Sequence, residues 1–308
     1  MKTLKRLWVI SNIIMDIVTF VDAWPERSGD ILAKGGKTTP GGAFNVIVAA
    51  SRLGLETVYG GLIGTGPFGD AITEHLNALG VSSPNPRIAD YDTGFDVAIV
   101  EKNGERTFIT VPGCESWLES RHLAALSIEA GDWVYLSGYN LLSEPTASAL
   151  QDWTVSLRDN VVLLDPGPLV AEIDLPLLDA VMRHVDIFTL NQREAFLLTG
   201  LKDPGLALTA LHRRYGAKTA VVVRSGATGA WILDKQHSPR NIPARRVKTT
   251  NTTGAGDVHA AALVARMQDV PWEQAVFEAN ICASLAIERD GPAESPTSSE
   301  LYAVLRKT

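Results

Sequence analysis

Short apolar runs rich in β-branched residues alternate along most of the chain with stretches whose apolar positions recur at helical spacing. Leu7 to Ile10, Thr57 to Leu62, Trp133 to Leu136, Val161 to Leu164, Ile187 to Leu190 and Thr219 to Val223 read as strands. The clearest helices are Ala43 to Leu53 stopped by Gly54, Asp70 to Leu79 stopped by Gly80, Pro145 to Leu157, Leu206 to Tyr215 stopped by Gly216, and Trp272 to Ile287. Strand and helix in alternation predict an α/β fold: a mostly parallel sheet covered on both faces. Ligands on such sheets sit beyond the carboxyl ends of the strands.

Two regions break the rhythm, at about 13–38 and about 92–112. In the second, Phe95 to Val100 and Arg106 to Val111 flank Asn103-Gly104 and read as paired strands joined by a turn. Strands inserted between βα units form a small second sheet, placed to act as a lid that excludes water from the reaction. With no internal repeat, low-complexity segment or linker, residues 1–308 are expected to form one domain.

Composition narrows the picture by exclusion. The 308 residues are 45% apolar and 20% charged, an ordinary globular balance. A net charge of -7 and a pI near 5.4, with basic residues clustered only in pairs such as Arg213-Arg214 and Arg245-Arg246, argue against nucleic acid as a partner. Met1 to Ile10 imitates the start of a signal peptide, but Ser11, Asn12 and Asp16 break the apolar run and no small-residue cleavage site follows. No other stretch is long and apolar enough to cross a membrane. Cys114 and Cys282, the only cysteines, cannot make a disulfide framework or a four-cysteine zinc site, and a soluble cytoplasmic protein is expected.

The strongest chemical signal is Asn251-Thr252-Thr253-Gly254-Ala255-Gly256-Asp257, followed by an apolar run from Val258 to Met267. A helix that begins there leaves backbone N–H groups without partners, and Gly254 and Gly256 let bare backbone approach a ligand. Such amides hold an anion. Asp257 beside them is placed either to take a proton from a hydroxyl attacking a phosphoryl group or simply to cap the helix.

Taken together, the motifs resemble the ribokinase-like, or PfkB-type, carbohydrate kinases over essentially the whole chain. Thr252 to Asp257 matches the family's most specific signature. Pro40-Gly41-Gly42-Ala43-Phe44-Asn45 with Ala49, Leu53 and Gly54, then Gly61, Gly64 and Gly69, and Gly104-Glu105-Arg106-Thr107 follow the family order and spacing. The resemblance implies a three-layer ribokinase-like core with a small β-sheet lid, Asp257 as catalytic base, and Gly254, Ala255 and Gly256 as the anion hole. It also implies that Asp16, Gly41, Gly42 and Asn45 bind sugar hydroxyls.

On the nucleotide side, the resemblance assigns Asn191-Gln192-Arg193-Glu194 to the magnesium and phosphate environment, with Glu194 holding magnesium through water; the same four residues are also a good capping pattern. Val221 to Gly229 matches the strand and glycine turn beside the nucleotide phosphates, with Ser225, Gly226 and Gly229 in the turn. Arg224 stands where a small residue is common, and reads either as a phosphate contact or as a solvated side chain. Asn280 matches a position lining the adenine pocket. The implied cofactors are ATP and Mg2+.

Several positions depart from the family pattern. Asn251 replaces an Asp that helps build the monovalent-cation site in members that use one, which weakens the case for potassium. His259 replaces a usual Phe, and Gly66 a common Asp. That last change creates a decoy, because Gly64-Thr65-Gly66-Pro67-Phe68-Gly69 reads as the G-x-G-x-x-G of a dinucleotide enzyme. It follows the second core strand rather than the first, and Pro67 stiffens it; a P-loop is absent altogether.

The expected activity is transfer of the γ-phosphoryl group of ATP to a hydroxyl, usually a primary alcohol, of a sugar or sugar-containing small molecule. The alternatives are a nucleoside kinase of the same fold, whose pocket could draw on Phe20, Trp24, Phe95 or Phe108, and a non-catalytic sugar-binding regulator, for which Asn251 and His259 speak. The resemblance also implies that the lid sheets can pair two chains into a homodimer, as the apolar faces of these strands permit; the oligomeric state is left open.

Overall fold

A computed structural model of the chain describes residues 5–103, 105–216, 218–233, 237–289 and 294–307. The first six strands are β1 (Leu7–Ile10), β2 (Ile13–Val21), β3 (Gly35–Gly42), β4 (Thr57–Tyr59), β5 (Phe95–Glu101) and β6 (Arg106–Val111). They are followed by β7 (Trp133–Ser137), β8 (Val161–Asp165), β9 (Ile187–Asn191), β10 (Ala220–Arg224), β11 (Ala230–Leu233) and β12 (Pro239–Ile242). The helices are α1 (Phe44–Arg52), α2 (Pro67–Ala78), α3 (Ser120–Ala124), α4 (Thr146–Thr154) and α5 (Leu175–Met182). After them come α6 (Gln192–Thr199), α7 (Pro204–Tyr215), α8 (Ala255–Met267), α9 (Trp272–Ile287) and α10 (Ser298–Leu305).

The large sheet runs β12-β11-β10-β9-β8-β7-β1-β4, parallel from β10 to β4, with β11 and β12 added antiparallel at one edge. Its strands are buried on both faces, so they read as continuous apolar runs, and successive side chains enter two different cores. Leu7 and Val9 of β1 join one core with Val46 of α1, Leu263 of α8 and Ala279 of α9. Trp8 and Ile10 join the other, with Leu150 of α4, Leu178 of α5 and Leu208 of α7. This is the α/β class expected from the sequence. Among the described residues no helix is long and apolar enough to cross a membrane.

Four of the central strands run one residue past the apolar run that predicts them. Those extra residues are Ser137, Asp165, Asn191 and Arg224, with Ser137 paired to Asp165 and Arg224 to Asn191. The carboxyl edge of the parallel sheet is therefore a polar row, where the ladder continues after the hydrophobic signal stops. In the opposite sense, the strand expected to reach Leu62 ends at Tyr59, because Gly60 and Gly61 give a sheet nothing to pack.

The small sheet has the order β3-β2-β5-β6, with β2 antiparallel to β3, parallel to β5, and β5 antiparallel to β6. The paired strands expected around Asn103-Gly104 are present, although Gly104 itself lies outside the described residues. Two buried or partly buried carboxylates fix the root of this sheet. Glu115 accepts the amides of Gly94 and Gly113, each at 2.8 Å, where β5 begins and β6 has ended. Asp92 accepts the amides of Phe68 at 3.0 Å and Gly69 at 2.8 Å, in the first turn of α2.

Candidate active site

Gly254 precedes α8 with φ +71°, a left-handed conformation that a side chain would strain. The turn leading into it is shaped by Asn251, whose Oδ1 accepts the Thr253 amide at 2.9 Å. The amide of Ala255 makes a long 3.3 Å bond to the Thr252 carbonyl, whereas no backbone acceptor outside the helix is recorded for those of Gly256 and Asp257 among the described residues. Being first in a helix, these groups have no intrahelical partner and carry the positive end of its dipole. Amides so placed are able to hold an anion.

Asp257 stands in the first turn of α8, and its Oδ2 accepts a 3.0 Å hydrogen bond from Nδ2 of Asn45 in α1. Burial, followed by the nearby Asp165 carboxylate, pushes its pKa up to about 7, against the pull of Asn45 and Arg224. A carboxyl poised near neutrality is suited to accepting a proton.

Asp16 projects from the middle of β2. Its pKa is also pushed up to about 7, first by burial and then by the charges of Asp96 and Asp257. Gly41 pairs next to it on β3 and leaves it room: a Cβ there would lie 2.0 Å from the Asp16 Oδ1. Gly42, at φ +59°, turns the chain from β3 into α1. Thus Asp16, Gly41, Asn45 and Asp257, drawn from the small sheet and two helices, meet in one cleft.

On the other side of Asp257, the guanidinium of Arg224 is nearly buried. It lies 2.9 Å from Asp165 and 3.7 Å from Glu194, and donates to the Gly256 carbonyl at 3.0 Å. The side chain is therefore neither solvated nor free; it is the cation of a buried cluster at the foot of α8. Glu194 caps α6 in a reciprocal box with Asn191, accepting the Asn191 backbone amide at 2.7 Å and its Nδ2 at 2.6 Å. Burial and the Asp165 charge raise its pKa.

The remaining candidates lie further out. Ser225, Gly226 and Gly229 form the turn from β10 to β11, closed by the Ser225 amide on the Gly229 carbonyl at 2.7 Å, with Gly226 at φ +56° and Gly229 at φ +100°. Asn280 stands apart from the carboxylates and donates to the carbonyls of Ile242 at 2.9 Å and Pro243 at 3.4 Å, tying α9 to the end of β12. His259 is buried, and burial together with the Arg224 charge pushes its pKa down to about 3, leaving it neutral.

The model of one family, described as pfkB family carbohydrate kinase, matches residues 4–299. The chain belongs to the pfkB carbohydrate kinases. It is 31% identical to an uncharacterized sugar kinase, YegV, of Escherichia coli (strain K12), over 97% of this chain and 94% of that one. It is 30% identical to the ribokinase of Mus musculus, over 93% and 90%. The structure of ribokinase from Giardia lamblia superposes with a TM-score of 0.84 at 19% identity, covering 99% of each chain. As a pfkB kinase the chain is an ATP-using phosphotransferase with an alcohol group as acceptor.

The candidate site also brings in residues that the sequence motifs did not single out. Asp165 supplies the carboxylate between Arg224 and Asp257, and the signal that could have found it is a lone acid directly after an apolar run, near where ligands of such sheets bind. Asn140 donates to the Asn12 Oδ1 at 2.8 Å while its own Oδ1 is buried without a partner among the described residues, and neighbouring Tyr139 has its pKa pushed up to about 12 by burial. Both follow β7, again at the carboxyl edge. Asp96 is the fourth, and only strand pairing brings it beside Asp16.

Proposed function

We propose that this pfkB kinase phosphorylates a hydroxyl, usually a primary one, of a sugar or sugar-containing small molecule, with Asp257 as the base. The observation that carries the reading is the position of Asp257. Its carboxyl accepts the Asn45 side chain and acts electrostatically on Asp16 on the acceptor side, while the Gly256 and Asp257 amides, with no backbone acceptor among the described residues, serve the phosphate side.

The free amides and the left-handed Gly254 fit nucleotide phosphates. No group of three or more metal-ligating side chains occurs among the described residues, and Glu194 already serves Asn191 and Arg224. Glu194 would hold a magnesium ion through water, and the ion would supply positive charge to the group in transfer. ATP with its magnesium supplies the γ-phosphoryl group and neutralises part of its charge. Asp257 accepts the hydroxyl proton and orients the oxygen, and Asn45 holds that carboxylate in place. Asp16 and the bare backbone of Gly41 and Gly42 bind the acceptor. The Gly256 and Asp257 amides stabilise the charge of the group in transfer, with Arg224 behind them pinning the helix end through the Gly256 carbonyl.

One observation favours a nucleoside as the acceptor. Phe108 and Val18 share the Asp16–Asp96 face of the small sheet, and Phe108 is 51% exposed, which offers a base a surface to stack on. A single assay separates these readings: ADP release from Mg-ATP across neutral sugars, sugar acids and nucleosides. One chemical class should stimulate release, and Asp257→Asn should lower kcat by about 10² to 10⁴ with ATP affinity nearly intact. Equal turnover by the variant removes Asp257 from the role of base.

A further inference from the structure

The site as described leaves Asp96 without a task. It lies on β5 in register with Asp16 on the adjacent parallel strand, so both side chains leave the same face of the small sheet. The residue is only 7% exposed, and its Oδ1 is buried with no hydrogen-bond partner among the described residues. A buried carboxylate oxygen left unpaired is costly, and native structures rarely keep one without a use. Its charge acts on Asp16 and, together with that of Asp257, on Tyr139, so the carboxyl faces the cleft rather than the back of the sheet. Among the described residues, neither Asp16 nor Asp96 is ion-paired with a lysine or arginine; the guanidinium of Arg224 is spent on Asp165 and Glu194.

We propose that Asp96 is a second substrate-reading carboxylate, which with Asp16 accepts hydrogen bonds from two hydroxyls of an uncharged polyol and keeps sugar acids and sugar phosphates out of the acceptor site. The proposal rests on the kinase reading above and narrows its substrate class. Ionised carboxylates only accept hydrogen bonds, so a hydroxyl-rich neutral molecule satisfies both, including the orphaned Oδ1. At about pH 8, where both carboxyls are ionised, an acceptor bearing its own carboxylate or phosphate would meet two like charges in a partly buried cleft, at a disadvantage of roughly a hundredfold or more.

The test, run at that pH, is a matched panel of neutral pentoses and hexoses, each with its aldonate and its terminal phosphate. ADP release is read in parallel with acceptor-induced thermal shift, for the parent and Asp96→Asn. Neutral members should exceed their acids by about 10² or more in kcat/KM. Asp96→Asn should raise the acceptor KM about tenfold or more, leave the KM for ATP unchanged, and narrow the neutral-to-acid ratio. An ATP-induced thermal shift equal to the parent's shows that the variant is folded. Preference for an acid, or a variant with the parent's acceptor KM and ratio, overturns the proposal. If no acceptor releases ADP, the kinase reading fails separately. Thermal shifts by neutral sugars that weaken in Asp96→Asn would still uphold the binding role, and no shift with any neutral sugar would overturn it.

Discussion

Asp257 is pulled in two directions, and the balance has a kinetic consequence. Burial and Asp165 favour its protonated form, while the Asn45 hydrogen bond and the Arg224 charge favour the carboxylate. A base must be ionised to act, so turnover should fall as pH drops through about 7, the value to which Asp257 is raised. Asn45→Ala removes a bond that favours the ionised form, so the acidic limb of kcat against pH should move upward, toward about pH 8. Profiles of parent and variant check this, and an unmoved limb would detach Asn45 from the base. At this scale the sequence was readable where chemistry and helix start coincide: Thr252 to Asp257 announces itself because glycine, acid and apolar run are contiguous. Asp96 does not, since an acid at one position of an apolar strand gains meaning only when β2 is laid beside it and Asp16 falls opposite.

Elements show a trade between two positions far apart in sequence. Gly66 holds the cap position of α2 and carries no side chain to serve the first-turn amides. Asp92, at the root of the small sheet, fills that space: a Cβ on Gly66 would lie 2.5 Å from the Asp92 Cγ, and the Asp92 oxygens take the Phe68 and Gly69 amides. The G-x-G-x-x-G pattern is thus a by-product of moving a cap from α2 to a neighbouring loop. Gly66→Asp alone should destabilise through collision and like charge, and Asp92→Gly alone through loss of the cap, by about 1 kcal/mol. The double variant, which returns the carboxylate to the cap, should recover most of the loss, and thermal melts of all four proteins form the cycle. Additive losses would refute the exchange. Apolar periodicity found α1, α2, α4, α7, α9 and the central strands because burial imposes it, and passed over the short α3, α5 and α10. It could not find Asp165, Asn191 and Arg224 as strand ends, because their place in the ladder comes from neighbouring strands rather than from any hydrophobic signal.

Across the whole molecule, the cleft joins carboxylates from three separate elements: Asp16 on β2, Asp96 on β5 and Asp257 on α8. All three have raised pKa values, about 7 for Asp16 and Asp257 and about 6 for Asp96, with burial the largest cause in each. The folded state therefore holds protons that the unfolded chain has already released, so stability should fall as pH rises through the folded values. His259, lowered to about 3, works in the opposite sense, but only while the unfolded histidine is still charged, a contribution largely complete by about pH 7. The Arg289-paired Glu300, lowered to about 2, loses its contribution only in acid. From about pH 6.5 to 8, Asp16 and Asp257 are therefore still losing protons in the folded state, in the same sense as Glu115 and Glu194, which burial also raises. The melting temperature of the unliganded protein should decline across this interval, and Asp16→Asn should flatten the decline by removing one of the charges that the fold crowds together. Acceptor hydroxyls bind the ionised carboxylates, so by linkage a true acceptor should raise the melting temperature more at pH 8 than at pH 6.5. A parent whose melting temperature holds steady or climbs over that interval would mean that burial does not hold these carboxyls protonated in the folded chain, and that a substrate has no such proton to displace.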